Sequence, residues 1–552
     1  MKFYSFTRMI ISFYLIVLTV ITLEATEYHI GPNHPLSTIS EAPWNSLQAG
    51  DIVYIHWRST PYKEKWVINA QGTANNPIHI IGVSGSQGQK PVIDGNGAVT
   101  VAGVNFWNEE RGVIKIGGSN TPADGLPSHI IIENLEIKSG RPAYQFTNDN
   151  NQTSTYSKNA AAIYVEKAEH LVIRDCILRD SGNGLFIGAN DGQTKDILIA
   201  SNYIYDNGIE NSIFEHNAYT AGIGMTFQYN RFGPLRNGAL GNNLKDRSAG
   251  LTVRYNWIES GNRQLDLVDA EDSQVLVNHP SYSTTYVYGN ILIEPDGAGN
   301  SQIVHYGGDS GTTTDYRKGT LYFYNNTIVS TRSGNTTLMR LSTNDETALV
   351  FNNIVYPSAS GTRMAMIDGS GTFTLSNNWL KTGWQSCHCT PSGTVNDQGN
   401  NIEGSDPLFQ DFNTQDFAPQ ENSVLIDQSM DISPIVSQQH YVISQYEKHL
   451  GTFERSGTNN DIGALENATN LSIDDIRFQK TIAIFPNPAH ESISINLKNE
   501  IISSISIYNE IGQRLMEHHT NSIRISELQV GIYLMKIVTK SGKRSIKKIV
   551  KK

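Results

Sequence analysis

Apolar and polar residues alternate along this chain in short runs. Examples are Ile131-Ile-Glu-Asn-Leu135, Ile199-Ala-Ser-Asn-Tyr203, Met225-Thr-Phe-Gln-Tyr229, Leu251-Thr-Val-Arg-Tyr255 and Leu321-Tyr-Phe-Tyr-Asn-Asn-Thr-Ile-Val329. A period of two predicts strands with one face buried, and no segment combines helical periodicity with cap signals. The strands carry a recurring marker at Asn134, Asp175, Asn202, Asn230, Asn256, Asn290, Asn326, Asn352 and Asn378, with several intervals of roughly 26–28 residues. One such repeat cannot bury its own apolar face, but a stack of them makes a continuous core, so the period predicts a solenoid. The recurring Asn suits a bend that tolerates left-handed backbone, and stacked amides can hydrogen-bond up the ladder. A β-propeller is the alternative, although its four strands per blade fit these intervals poorly.

Composition supports an all-β chain. Only 17% of residues are charged and 47 are Gly, which suits tight turns between strands. At 552 residues the chain exceeds one ordinary compact core, so more than one domain or an elongated domain with an appendage is expected. The opening contains Gly50-Asp-Ile-Val-Tyr-Ile55, Asn76-Pro-Ile-His-Ile-Ile-Gly82 and Pro91-Val-Ile-Asp-Gly95. It resembles the N-terminal cap and first coils of right-handed parallel β-helix proteins. Asp406-Pro-Leu-Phe409, Asp416-Phe-Ala-Pro419 and Asp461-Ile-Gly-Ala-Leu-Glu466 resemble the closing segment of bacterial members of that fold. The expected organisation is an export signal over residues 1–25, a β-helix over 26–466, a linker over 467–480 and a small C-terminal β-sandwich over 481–552.

Lys2 and Arg8 ahead of the apolar run Met9–Ile21 make the export signal, which implies passage through a periplasm. The formal charge of −11 argues against nucleic-acid binding, but a local cationic patch would still serve an anionic ligand. Three cysteines are too few for a disulfide framework. Cys176 lies in a strand pattern and is expected in the core, whereas Cys387-His388-Cys389 suits a local disulfide or a free pair better than zinc.

The C-terminal stretch contains Phe485-Pro-Asn-Pro-Ala489, Ile507-Tyr-Asn-Glu-Ile-Gly-Gln513, Gly531-Ile-Tyr-Leu534 and a lysine-rich end. These motifs, in this order over about seventy residues, resemble the sorting domain of the type IX secretion system of Bacteroidota. That resemblance implies a Gram-negative cell, the type IX machinery as a partner, and a secreted or surface-held product.

Candidate chemistry concentrates between Glu215 and Asp272. Tyr219 and Lys245 are twenty-six positions apart, each eleven before its coil's marker Asn, so they should stack one coil apart, as should Asn217 and Asn243. Arg247 follows on the same side of its strand. Arg231, Arg236, Lys245, Arg247 and Arg254 together read as a basic strip suited to a polyanion. Asp269, Glu271 and Asp272 could bind calcium or, with Asp266, supply the acid and base of a hydrolase.

His216-Asn-Ala-Tyr219, Gly241-Asn-Asn-Leu-Lys-Asp-Arg-Ser-Ala249, His305-Tyr-Gly-Gly-Asp309 and Gly319-Thr-Leu-Tyr-Phe-Tyr-Asn-Asn326 resemble bacterial β-helix polysaccharide-degrading enzymes. The nearest characterised type is the alginate lyase with a catalytic tyrosine and lysine. The resemblance implies a monomer that cleaves an anionic, alginate-like polysaccharide by β-elimination without a required cofactor. Such a reaction needs the uronate carboxylate neutralised, a base for the C5 proton and an acid for the leaving O4. Arg247 with Asn217 or Asn243 suits the carboxylate, Arg263 and His305 are further substrate-binding candidates, Lys245 is expected as base and Tyr219 as acid. The last two roles are exchangeable with the uronate epimer, and His216 is an alternative base. A glycoside hydrolase and a noncatalytic glycan-binding surface protein are the competing readings.

Overall fold

The computed structural model describes residues 25–449, 451–455, 460–467, 482–497, 500–509, 514–540 and 544–552. The expected export signal up to residue 24, and the linker from residue 468, lie outside them. Among the described residues no helix is long and apolar enough to cross a membrane.

Strands from Glu27 to Gly404 stack into three long sheets of 13, 11 and 13 strands, whose neighbours are almost all parallel and come from successive coils. This is a parallel β-helix. Each coil sends alternate side chains inward, and like side chains stack in register. In the second sheet Ile137, Leu178, Ile204, Phe232, Ile258, Leu292, Ile328, Val355 and Leu380 form one buried column.

An asparagine ladder runs along the bend between the first two sheets, through Asn202, Asn230, Asn256, Asn290, Asn326, Asn353, Asn378 and Asn401. Each Oδ1 accepts from the backbone N–H one coil earlier, that of Cys176 for Asn202 and that of the preceding ladder Asn for the others, at 2.8–3.0 Å. Each buried amide is thereby satisfied by the coil beside it. The residue preceding each of these Asn takes the left-handed conformation instead, as at Ser201, Tyr229, Tyr255, Asn325, Asn352 and Asn377. The sequence marker therefore mixes two positions. Asn134, Asp175 and Asn352 are bend residues, and the ladder positions beside the last two are Cys176 and Asn353.

The coil stack ends at Gly404, short of the expected Glu466. Residues 405–467 contain two antiparallel hairpins, Phe409–Asp411 with Asp416–Pro419 and Ser444–Glu447 with Gly451–Glu454. This segment runs back along the outside of the helix. Phe409, Phe417, Leu425, Tyr446 and Ile462 cover Trp257, Ile291, Val329, Ile354 and Trp379 on the second sheet. Val436 and Val442 pack on Tyr255, Tyr288, Tyr324 and Phe351, outside the first.

Cys176 is buried in the core, and Cys387 and Cys389 form the local disulfide. The C-terminal residues form separate antiparallel sheets of three and four strands. Ile493, Ile495 and Ile523 of one face Ile505, Ile507, Met535 and Ile537 of the other across a shared core, which makes a small sandwich.

Candidate active site

The third sheet presents one outward column in register: Tyr164, Phe186, Tyr219, Lys245, Asp266, His305 and Arg340. Tyr219 and Lys245 are direct neighbours on the strands Ala218–Thr220 and Leu244–Asp246, as their equal spacing requires. The following coil is shorter. Its strand Leu265–Leu267 sets Asp266, rather than Glu271, beside Lys245.

Asp266 is 2% exposed and is the hub of the column. Its carboxylate meets Lys245 Nζ at 3.0 Å, His305 Nδ1 at 2.8 Å, Asn242 Nδ2 at 2.8 Å and Arg263 Nη1 at 3.6 Å. Burial alone would raise its pKa, yet these donors hold it far below the ordinary carboxylate range. Arg263 also donates to Gln302 Oε1 at 2.7 Å, and Arg340, next in the column, is exposed.

A second carboxylate comes from the loop after the strand Gln302–Tyr306. Asp309 Oδ1 lies 3.0 Å from Arg247 Nη2, and its Oδ2 contacts Lys245 Nζ. Arg247 is otherwise fully engaged. Its Nε donates to the Tyr219 hydroxyl at 2.9 Å, Nη1 to the Asp269 carbonyl, and Nη2 approaches Glu271 Oε1 at 2.8 Å. Asp269 Oδ1 accepts the Asp309 N–H at 2.8 Å, which fixes the loop tip.

Arg317 anchors the far end of the loop. It is buried and donates to the carbonyls of Val268, Ser248 and Asp246, beside the buried Asp246 carboxylate at 3.4 Å. Asp246 interrupts the inward apolar column and is also held by Thr220 Oγ1 at 2.7 Å and Ser248. Phe186, Gly188, Tyr219, Arg247, Asp272 and Leu276 line a small hollow next to this cluster.

Several expectations are corrected. Burial opposes the Lys245 charge, but Asp266 and Asp309 outweigh it and raise its pKa, which favours the ammonium over the neutral amine expected of a base. His216 is buried, which together with the Lys245 charge pushes its pKa down to about 3. Its Nδ1 accepts the Asn242 N–H at 2.8 Å, which leaves Nε2 as a donor and removes His216 as a base.

Asn217 and Asn243 stack as expected, at 2.5 Å, but both are fully buried. Their amides serve Gly233, Glu259 and Ser260 carbonyls, so neither reaches a substrate. His305 likewise has both nitrogens engaged, by Asp266 and by Ser342 at 2.9 Å.

The basic strip is dispersed, with Arg231, Lys245 and Arg254 on three different sheets and Arg236 and Arg247 in the connections between strands. Arg231 stacks on Tyr203, Arg236 pairs with Asp180 and Arg254 binds Gln228, so only Lys245 and Arg247 face the site. Asp269 and Glu271 face the Arg247 guanidinium, which supplies the positive charge expected of a calcium ion.

Sequence reasoning missed the roles of Asp309, Asn242 and Arg317. Asp309 had a signal in His305-Tyr-Gly-Gly-Asp309, but its contact with Lys245 spans 64 positions across an irregular loop. Asn242 had a signal in Gly241-Asn-Asn-Leu-Lys245, whereas Arg317 carries none.

The secretion system C-terminal sorting domain family matches residues 483–552. The chain is therefore addressed to type IX secretion and is secreted or held at the cell surface. No curated protein matches the chain. Among solved structures it is similar to an alginate lyase from Paenibacillus sp. str. FPU-7, at 13% identity over 61% of this chain and 94% of that one, with a TM-score of 0.39. It is also similar to the Streptococcus pneumoniae surface protein and adhesin PfbA, at 9% identity over 64% and 89% of the two chains, with a TM-score of 0.39. Pectin methylesterase from Aspergillus niger gives 10% identity over 76% and 95%, with a TM-score of 0.26. At these values the likenesses bear on no activity.

Proposed function

We propose that this protein is a secreted polysaccharide lyase that cleaves a uronate-containing glycan by β-elimination. The observation that carries the reading is the Asp309 carboxylate, which bridges Lys245 and Arg247 beside the Tyr219 hydroxyl. Two cations already arranged around a carboxylate suit a uronate carboxylate that displaces Asp309.

In this reading the roles first expected for Tyr219 and Lys245 are exchanged. Tyr219, whose oxygen accepts from Arg247 Nε at 2.9 Å, takes the role of base toward the C5 proton, and the substrate carboxylate takes up the developing negative charge against Arg247 and Lys245. Lys245, held as an ammonium, delivers its proton to the leaving O4. Calcium takes no part, and chelation should leave the rate unchanged.

The hydrolase reading has one observation in its favour. Burial, against Arg247, raises the pKa of the exposed Glu271, whereas Lys245 and Arg247 outweigh burial and lower that of Asp309. Two carboxyls pushed apart can divide acid and base work.

Product chemistry decides between them. The protein is incubated with alginate, polygalacturonate, polyglucuronate and chondroitin sulfate, and ultraviolet absorbance by unsaturated ends is followed. A rise on at least one substrate is expected, with Tyr219→Phe and Lys245→Ala reducing the rate about 10²–10⁴-fold without loss of fold. Reducing ends that form without unsaturation would overturn the lyase and point to Glu271 and Asp309.

A further inference from the structure

The first coil carries a second cluster that the reaction does not use. The strand Glu27–Ile30 pairs in parallel with Ile52–His56, in a register that sets His29 against Tyr54, and the two rings stack at 4.6 Å. The chain then turns, with Gly31 N–H donating to the Leu36 carbonyl at 2.8 Å, and brings His34 onto the His56 ring at 3.6 Å between centroids. Gly31 is required here. Its φ is +149° and an added Cβ would stand 2.8 Å from the Cβ of His56. Tyr62 fixes the strand end by donating to the His56 carbonyl at 2.7 Å.

The fold thereby holds three half-buried imidazoles with one ring nitrogen of each within 4.8 Å of the others. His29 Nδ1 lies 3.0 Å from His56 Nε2. Two imidazole nitrogens bound to one tetrahedral zinc at ~2.0–2.1 Å stand about 3.3 Å apart, so a small opening of this pair admits an ion. The other nitrogen of His29 faces Glu27 Oε2 at 3.6 Å. A carboxylate on the far side of a ligating imidazole orients the ring and strengthens it as a donor.

We propose that His29, His34 and His56 form a binding site for a divalent transition-metal ion of the zinc class, with Glu27 supporting His29 and the fourth position open to solvent. Three imidazoles select zinc, nickel or copper over calcium and magnesium, which prefer oxygen donors. The ion would tie the edge strand, the turn and the second strand together at the end of the stack.

The test uses the full-length protein, free of any histidine tag and stripped by chelator, titrated with zinc chloride. One zinc per chain is expected by elemental analysis, with a dissociation constant in the micromolar range or below and a rise in Tm on loading. His34→Ala, in a turn, should weaken binding at least ~100-fold with the Tm of the metal-free protein unchanged, and Glu27→Gln should weaken it about 10-fold. His170→Ala, which removes the imidazole of the more exposed Glu169–His170–Asp196 group, should change nothing. Substoichiometric zinc, or binding indifferent to His34→Ala, would overturn the proposal. A measurement independent of variants is the electron paramagnetic resonance of the copper-loaded protein. Coupling to several imidazole nitrogens is expected, and oxygen coordination alone would overturn the site.

Discussion

Lys245 shows how burial and pairing compete at one side chain. Desolvation alone would push it toward the neutral amine needed for a base, but two carboxylates reverse the outcome. His216 has a similar environment and the opposite result, because there burial is reinforced by the charge of that lysine. Its folded-state pKa of about 3 lies below the unfolded value of about 6.5. As pH falls through that upper value the unfolded chain binds a proton that the folded protein refuses, so stability declines until about pH 3. Urea midpoints measured from pH 7 to pH 4 should therefore fall. The fall should be shallower for His216→Asn, whose side-chain carbonyl can still accept the Asn242 N–H.

The loop 307–317 is the element on which the site depends. It delivers Asp309 to Lys245 and Arg247, and it is fixed by the Asp269 carboxylate at one end and by buried Arg317 at the other. A neutral side chain at 309 removes a competitor for the substrate carboxylate and one of the two charges that raise the Lys245 pKa. In Asp309→Asn, KM for a uronate polymer should fall about tenfold, the value of ~1.4 kcal/mol of charge-assisted hydrogen bonding. The alkaline limb of the pH–rate profile should also move to lower pH, because the acid form of Lys245 is lost earlier. An unchanged KM would mean that substrate does not take the place of Asp309. At the same scale, the ladder shows why the bend tolerates Tyr229 and Tyr255 at positive φ: the following Asn, satisfied on both sides, fixes the backbone around them.

At the scale of the molecule, residues 405–467 cover the outer faces of the first two sheets. The Tyr219–Lys245–Asp266 column lies on the third. The sorting sandwich closes its own core from isoleucines of both its sheets. Deletion of residues 483–552 should therefore leave the purified protein's Tm transition for the β-helix and its activity intact, while the product accumulates in the periplasm of its native host. Normal secretion of the truncated chain, followed by immunoblotting of cell fractions, would refute the role given to that segment.

The sequence by itself determined the β-helix, the stacking of Tyr219 on Lys245 and the sorting motifs. These follow from period and local pattern, which coils of nearly equal length translate directly into register. It did not determine where that register breaks. The shorter coil that brings Asp266 to Lys245, the return of residues 405–467 and the placement of Asp309 all depend on irregular loops, whose paths are set by packing. Charge was the least legible quantity. Arg231, Lys245 and Arg254 are close in sequence but lie on three different sheets, with Arg236 and Arg247 in the connections, and the carboxylates that raise the Lys245 pKa come from later coils. A protonation state depends on neighbours in space, and in a solenoid those neighbours lie a full coil or more away along the chain.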